Sequence, residues 1–269
     1  MDLRNDIKSI IESQENAEGC KNAIDDYLRP YLLEPDEVFA FRCRGCGKCC
    51  KNRDDLILTA RDLFNIAKKT GMRTEDVIDK YCDLYTGRDS RLPIVLLLPV
   101  GSSRSCPFLT GTRCSIHDSK PAVCAIFPLG RIYQATADGK DGSQPKVKYL
   151  LQPTDCASKR KKHTVRSWLA EFGLTVEDPF YFAWNEALIY LTTFILDCEK
   201  RNVKKHILTM FSEMIYVGLY ARYDTNQDFM PQFQENVKAM KSVFDSTKDL
   251  SAEQIEKTVK RVFRRLQVI

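Results

Sequence analysis

Four cysteines fall within eight residues of this chain, as Cys43-x2-Cys46-x2-Cys49-Cys50. No other feature restricts its folding more. The cysteines alternate with Arg42, Arg44, Gly45, Gly47, Lys48, Lys51 and Arg53, a mixture too polar for an apolar core. Two residues between cysteines let both sulfurs turn toward one ion in a tight knuckle. Glycine at those positions permits unusual backbone angles and lets amides approach sulfur. Four thiolates around zinc leave a charge of about −2, as does an oxidised four-iron cluster. The flanking cations offset that charge and favour the thiolate, the form that binds metal.

The chain has 11 cysteines and only 3 histidines in 269 residues. Further candidate donors follow the first group: Cys106-Pro107, Cys114-x2-His117, Cys124 and Cys156. The predicted metal ligands are therefore Cys43, Cys46, Cys49, Cys50, Cys106, Cys114, Cys124 and Cys156. Cys20, Cys82 and Cys198 stand singly inside helical patterns and read as packing residues. In an extended chain adjacent side chains diverge from Cα atoms about 3.8 Å apart. Cys49 and Cys50 are thus expected to serve two sites, or one polynuclear cluster, and not one ion. Eight thiols suit two sites of four, and equally one cluster plus one structural ion.

The close run with a remote Cys-Pro, here Cys106-Pro107, matches the bacterial ferredoxin pattern. An iron–sulfur cluster of the four-iron type is the first expectation, and zinc the second. Structural zinc more often uses two separate Cys-x2-Cys knuckles, with Cys114-x2-His117 as a mixed substitute for the second. Radical-SAM spacing is absent, because Arg53 stands where its third cysteine belongs. His117 has an alternative role as a loop hydrogen-bonding residue. His163 and His206, set among Lys and Arg, are expected at the surface.

The sequence predicts a helix over residues 3–28 ended by Pro30. It also predicts a helix capped by Thr59 and stopped by Gly71, and another capped by Thr74. Residues 94–98, too short for a helix between Pro93 and Pro99, read as a buried strand. Irregular loops follow over 101–130. A β-hairpin pairs 131–135 with 146–152 around the loop 138–142. The basic run 159–162 reads as a solvated linker. Helices then dominate: 165–172, 179–199, 203–223, 230–244 and 252 to the end. Leu188, Leu191, Ile195 and Cys198 share one apolar face, and Phe211, Ile215, Gly218 and Leu219 another. The fold class is an α-rich α+β protein. An N-terminal helix (1–40) precedes an irregular cysteine-ligated metal domain with a small hairpin (41–160) and a C-terminal helical domain (161–269).

The start of the chain is polar, with no apolar h-region, which predicts a cytoplasmic protein. In a reducing compartment, clustered thiols bind metal or do catalysis more often than they form disulfides. The apolar stretch 180–198 contains Asn185 and Glu186 and reads as a buried helix, so no membrane span is expected. A net charge of +5 is too mild to imply nucleic acid.

These residues resemble the CxxCxxCC, or YkgJ-type, zinc- or iron-chelating cysteine-cluster family. Its pattern runs from the CxxCxxCC group through Cys106-Pro107-Phe108-Leu109 to the stretch from Cys114 to Pro128, which includes Ile116, His117, Asp118, Lys120, Pro121, Cys124 and Phe127. The match covers about residues 41–156. Lys120 stands where arginine is usual, Asp118 where glutamate is common, and Ala125 where arginine often follows the cysteine. The resemblance implies a bacterial cytoplasmic protein with a metal centre. One branch is associated with N-methylation of flagellin lysines, which implies a protein-lysine methylase as the alternative function, with a protein substrate or a redox partner. No Gly-x-Gly-x-x-Gly, P-loop or nucleophile elbow independently marks a donor site. A thiol redox protein is a third reading.

Overall fold

Thr59 begins a helix capped at both ends. Its side chain accepts from the Asp62 N–H, and Asp62 answers by accepting from the Thr59 N–H at 2.9 Å. This capping box starts the helix Ala60–Thr70. Gly71, at φ +69°, ends it in the left-handed conformation that glycine adopts without strain. Leu63, Phe64, Ile66 and Ala67 form its buried stripe. The next helix, Thr74–Tyr81, differs in one detail from expectation. Arg73 is its N-cap, and Thr74 is the first helical residue, fully buried with no capping bond from its side chain.

The computed structural model describes residues 17–135, 145–154 and 158–266, with Ser9 and Ser13 besides. The chain is a helix-rich α+β protein with small antiparallel sheets. The expected loop 138–142 and most of the N-terminal helix before Ala17 lie outside the described residues. No described helix is long and apolar enough to cross a membrane.

Its residues form two compact units that interleave along the sequence. The first comprises residues 1–48, 111–113 and 122–182. It contains the helix Ala17–Leu28 and a three-stranded sheet. In that sheet Lys146–Leu151 lies between Leu32–Leu33 and Leu129–Gln134. The predicted hairpin is present, in the register Leu129↔Leu151 to Gln134↔Lys146. The basic run is not a linker. It lies in the strand Ser158–Thr164, which pairs antiparallel with Val38–Arg42. The charges of Lys161 and Lys162 stay in water while the backbone completes a ladder. His163, expected at the surface, is 5% exposed. It sits opposite Phe39, with Nε2 3.0 Å from the Phe41 carbonyl. Its ring meets those of Phe39 and Trp168, members of a core cluster with Phe41, Ile126, Leu129, Tyr149, Val165 and Leu169. The Trp168 indole donates to the Ile126 carbonyl at 2.9 Å. An almost fully buried ion pair, Arg131–Asp178 at 3.3 Å, lies in this unit with its guanidinium over the ring of Tyr181.

The second unit comprises residues 49–110, 114–121 and 183–269. Its sheet has Pro93–Leu97 between Ile57–Leu58 and Cys82–Thr86. Cys82 therefore opens a strand and does not belong to a helix. The central strand buries Pro93, Val95 and Leu97, as a strand between two proline stops should. The helices Pro179–Lys200 (from Ala183 onward), Lys205–Tyr220, Phe229–Asp245 and Ala252–Leu266 supply the rest. Leu191, Ile195, Cys198, Phe211, Ile215 and Leu219 are all buried. Phe194 stacks on Phe244 at 4.5 Å, and Phe211 meets both rings edge-on. At Gly218 two helices approach so closely that an added Cβ would lie 2.4 Å from the Met240 sulfur. These helices pack on the sheet and on Ala60–Thr70. The Tyr220 hydroxyl donates to the Pro93 carbonyl at 3.3 Å, and Phe64 meets Phe229 at 5.3 Å.

Candidate metal centre

The cysteine run leaves the strand Val38–Arg42 and becomes irregular until the 3₁₀ turn Lys48–Cys50. Gly45 and Gly47 have φ of +63° and +70°, which L side chains adopt only with strain. The first turn aims the Gly45 N–H at the Cys43 sulfur, 3.4 Å away. The same i to i+2 arrangement recurs twice. The Phe108 amide faces the Cys106 sulfur, and the Ile116 amide faces that of Cys114. Amide-to-sulfur bonds of this kind stabilise thiolate charge and tune thiolate-bound metals.

Cys49 and Cys50 do not diverge as an extended backbone would require. A 3₁₀ turn advances about 120° per residue instead of the 180° of a strand. Their sulfurs lie 4.0 Å apart. Two thiolates on one tetrahedral zinc, with bonds near 2.3 Å, are separated by about 3.8 Å.

A short ladder brings in the distant cysteines. The Cys106 N–H donates to the Cys50 carbonyl at 2.7 Å. Lys51 and Ser105 form an antiparallel bridge, and the Asn52 N–H donates to the Arg104 carbonyl at 2.8 Å. Asn52 and Arg104 both take positive φ, 53° and 43°. These left-handed residues bend the two segments on either side of the ladder, and such a backbone costs on the order of 1 kcal/mol or more each. The Ser115 N–H then ties to the Phe108 carbonyl at 2.8 Å, which holds Cys114 near Cys106.

The thiols differ in environment. Cys43 and Cys46 are exposed, and Cys49, Cys50, Cys106, Cys114 and Cys124 are partly buried. The hydrogen bond with Cys50 pulls Cys49 down to about 6, and its own amide, Arg53 and Lys120 add to the effect against burial. Burial pushes Cys106 and Cys114 up, and the nearby thiols add to it: Cys114 and Cys49 act on Cys106, and Cys49 acts on Cys114. Lys120 also lowers His117, which is exposed in the turn His117–Ser119. Cys124 lies on the one-turn helix Ala122–Ala125 of the first unit. Cys156 and the side chain of Cys20 lie outside the described residues. Cys198 is buried, 3.6 Å from the Arg201 guanidinium, as a packing residue.

The donor set suits a thiophilic metal: sulfur throughout, amides facing three thiols, and cations around them. The thiols are gathered without being closed around a point. Among the described residues no three of His, Cys, Asp and Glu stand within reach of one ion. Sequence spacing could not expose the Cys50–Cys106 ladder. Its only local signal is Asn52, a residue type that tolerates positive φ.

Comparison with known proteins supplies the class. Residues 42–161 match the model of the CxxCxxCC family, described as "Putative zinc- or iron-chelating domain". That segment, less than half of the chain, is similar to this family, and it includes all eight of the clustered cysteines. No curated protein and no solved structure matches the chain.

Proposed function

We propose that the protein is a thiolate metal-binding protein whose centre takes a single zinc-class ion through neighbouring cysteines. The observation that carries this reading is the Cys49–Cys50 sulfur spacing of 4.0 Å beside the Cys106 ladder. It fits two thiolates on one ion. A four-iron cluster takes one thiolate per iron and so spreads its ligands wider. The cluster remains the second reading, favoured by the close cysteine run with the remote Cys106-Pro107. Elemental analysis of protein purified without oxygen separates the two. Colourless protein with stoichiometric zinc supports the first; brown protein with iron and acid-labile sulfide supports the second. Protein holding neither metal would end both. The lysine-methylase alternative rests on the resemblance alone. Absence of methyl transfer to flagellin, with no methyl-donor binding by calorimetry, would remove it.

A further inference from the structure

The strand Cys82–Thr86 ends its sheet with one side open. Pro93–Leu97 pairs with it antiparallel, in the register Cys82↔Leu97 to Thr86↔Pro93. Among the described residues no strand lies on its other side. The ladder fixes where each backbone group points. The Leu98 N–H donates to the Tyr81 carbonyl at 2.9 Å, and the Gly87 N–H to the Leu92 carbonyl at 2.8 Å. Bonding to a given neighbour alternates along an antiparallel strand. Asp83 and Tyr85 therefore bond inward, like Tyr81 and Gly87, and Leu84 and Thr86 turn their N–H and C=O groups to the open side. The Leu84 N–H agrees with this: it donates to the adjacent Asp83 carboxylate at 3.0 Å, a local bond that a facing strand can replace.

Proteins usually blunt such edges with lysine, proline, bulges or very short strands. On the far side of the same sheet Ile57–Leu58 has two residues, and Ser158–Thr164 elsewhere carries Lys161, Lys162 and a register shift. Cys82–Thr86 has five residues in unbroken register, with Asp83 its one charge. Exposed apolar surface also collects here. Ile57, Leu84, Tyr85, Leu98 and Val100 are five of the seven large apolar side chains exposed among the described residues, and all lie on this sheet or just beyond it. Such a concentration marks an interaction surface.

We propose that this edge pairs with the same strand of a second copy, antiparallel, about a two-fold axis at Tyr85. In that register Leu84 and Thr86 of one copy exchange bonds with Thr86 and Leu84 of the other, so every outward N–H and C=O of these residues finds a partner. Tyr85 meets its own counterpart where facing side chains come closest, and a cross-strand aromatic pair is favourable. Asp83 meets Gly87 of the other copy, so the charge does not face itself. Other axes fit less well. One at Asp83 sets two carboxylates opposite each other, which is destabilising. One at Leu84 calls on the Cys82 N–H, already bonded to the Ile78 carbonyl. Two strands this short bury less than a standard interface, so the dimer is weak and its population follows concentration.

Sedimentation equilibrium of the full chain, in reductant throughout, tests the pairing, with amide exchange followed at the same concentrations. The expected result is a reversible monomer–dimer equilibrium. Protection of the Leu84 and Thr86 amides should rise with concentration, and that of Asp83 and Tyr85, already bonded inward, should change less. Thr86→Pro removes an outward N–H and takes no bond from the ladder to Pro93–Leu97, and an edge strand tolerates proline there. It should weaken the dimer about tenfold or more. Tyr85→Asp sets carboxylates opposite each other on the axis and should also weaken it, and Tyr85→Phe should keep it. An unchanged thermal midpoint shows that each variant is folded. A chain that stays monomeric at its highest soluble concentration overturns the proposal and leaves the edge to an extended segment of another protein. A dimer that folded Thr86→Pro and Tyr85→Asp both leave intact has its interface elsewhere, and overturns it as well.

Discussion

The helices after Ala183 and the turns that carry the cysteines are held by different forces. The helices present Phe194, Phe211, Phe233 and Phe244, all buried, and interlock through ring contacts at 4.5 to 6.1 Å. Burial of apolar surface stabilises them whatever ions are present. The turns at 43–50 and 104–117 bury few large side chains, Phe108 and Ile116 among them. They rely on backbone ladders, left-handed residues and the gathered thiols. A protein can thus keep one region rigid by packing and leave another to be ordered by a ligand.

Metal removal gives the largest expected contrast. Structural zinc sites contribute on the order of 10 kcal/mol at neutral pH. A chelator should therefore raise amide exchange at Asn52 and Cys106, whose N–H groups close the ladder. Protection at buried Phe211 and Ile215 should persist. Equal loss in both regions would mean that the packing depends on the metal.

Phe244→Ala is the converse experiment. It removes the ring stacked on Phe194 and should cost about 3–5 kcal/mol in thermal or denaturant unfolding. Metal content should not change. A fall in bound metal at temperatures where the variant is folded would join the two regions.

Thr59→Ala sharpens the comparison within the second unit. It deletes one half of the capping box and should cost about 1 kcal/mol, read as a shift in the urea midpoint with metal content intact. Cys198→Ser should likewise leave bound metal unchanged, since Cys198 packs against helices and Arg201.

The smallest effect is electrostatic. Hydrogen bonds from Lys204 and then Lys260 hold the partly exposed Glu256 carboxyl down to about 2, from an ordinary value of 4.5. A lowered carboxyl adds stability that is complete above its unfolded value and disappears as pH falls through the folded one. Glu256→Gln should lower stability slightly at neutral pH and flatten acid unfolding between those values, the difference from wild type vanishing below the folded one.

Much of the fold was legible because its signals are local. Thr59 with Asp62 three residues on, Gly71 after an apolar stripe, and Pro93 before a short apolar run each act within one turn or strand. The 159–162 run was misread for the opposite reason. Four consecutive cations look like a solvated linker until Val38–Arg42 is placed alongside and Phe39 is found opposite His163. The divergence expected of Cys49 and Cys50 assumed an extended chain, and the 3₁₀ turn that removes it leaves no mark in the spacing.

The donor chemistry was written in the sequence. Thiols two residues apart, glycines between them and cations around them are properties of one short segment, and they suffice to point to a thiophilic metal. The meeting of Cys50 with Cys106 was decided only in three dimensions. The Cys106 N–H reaches the Cys50 carbonyl because hydrogen-bond partners come from segments far along the chain. No local pattern encodes such partners.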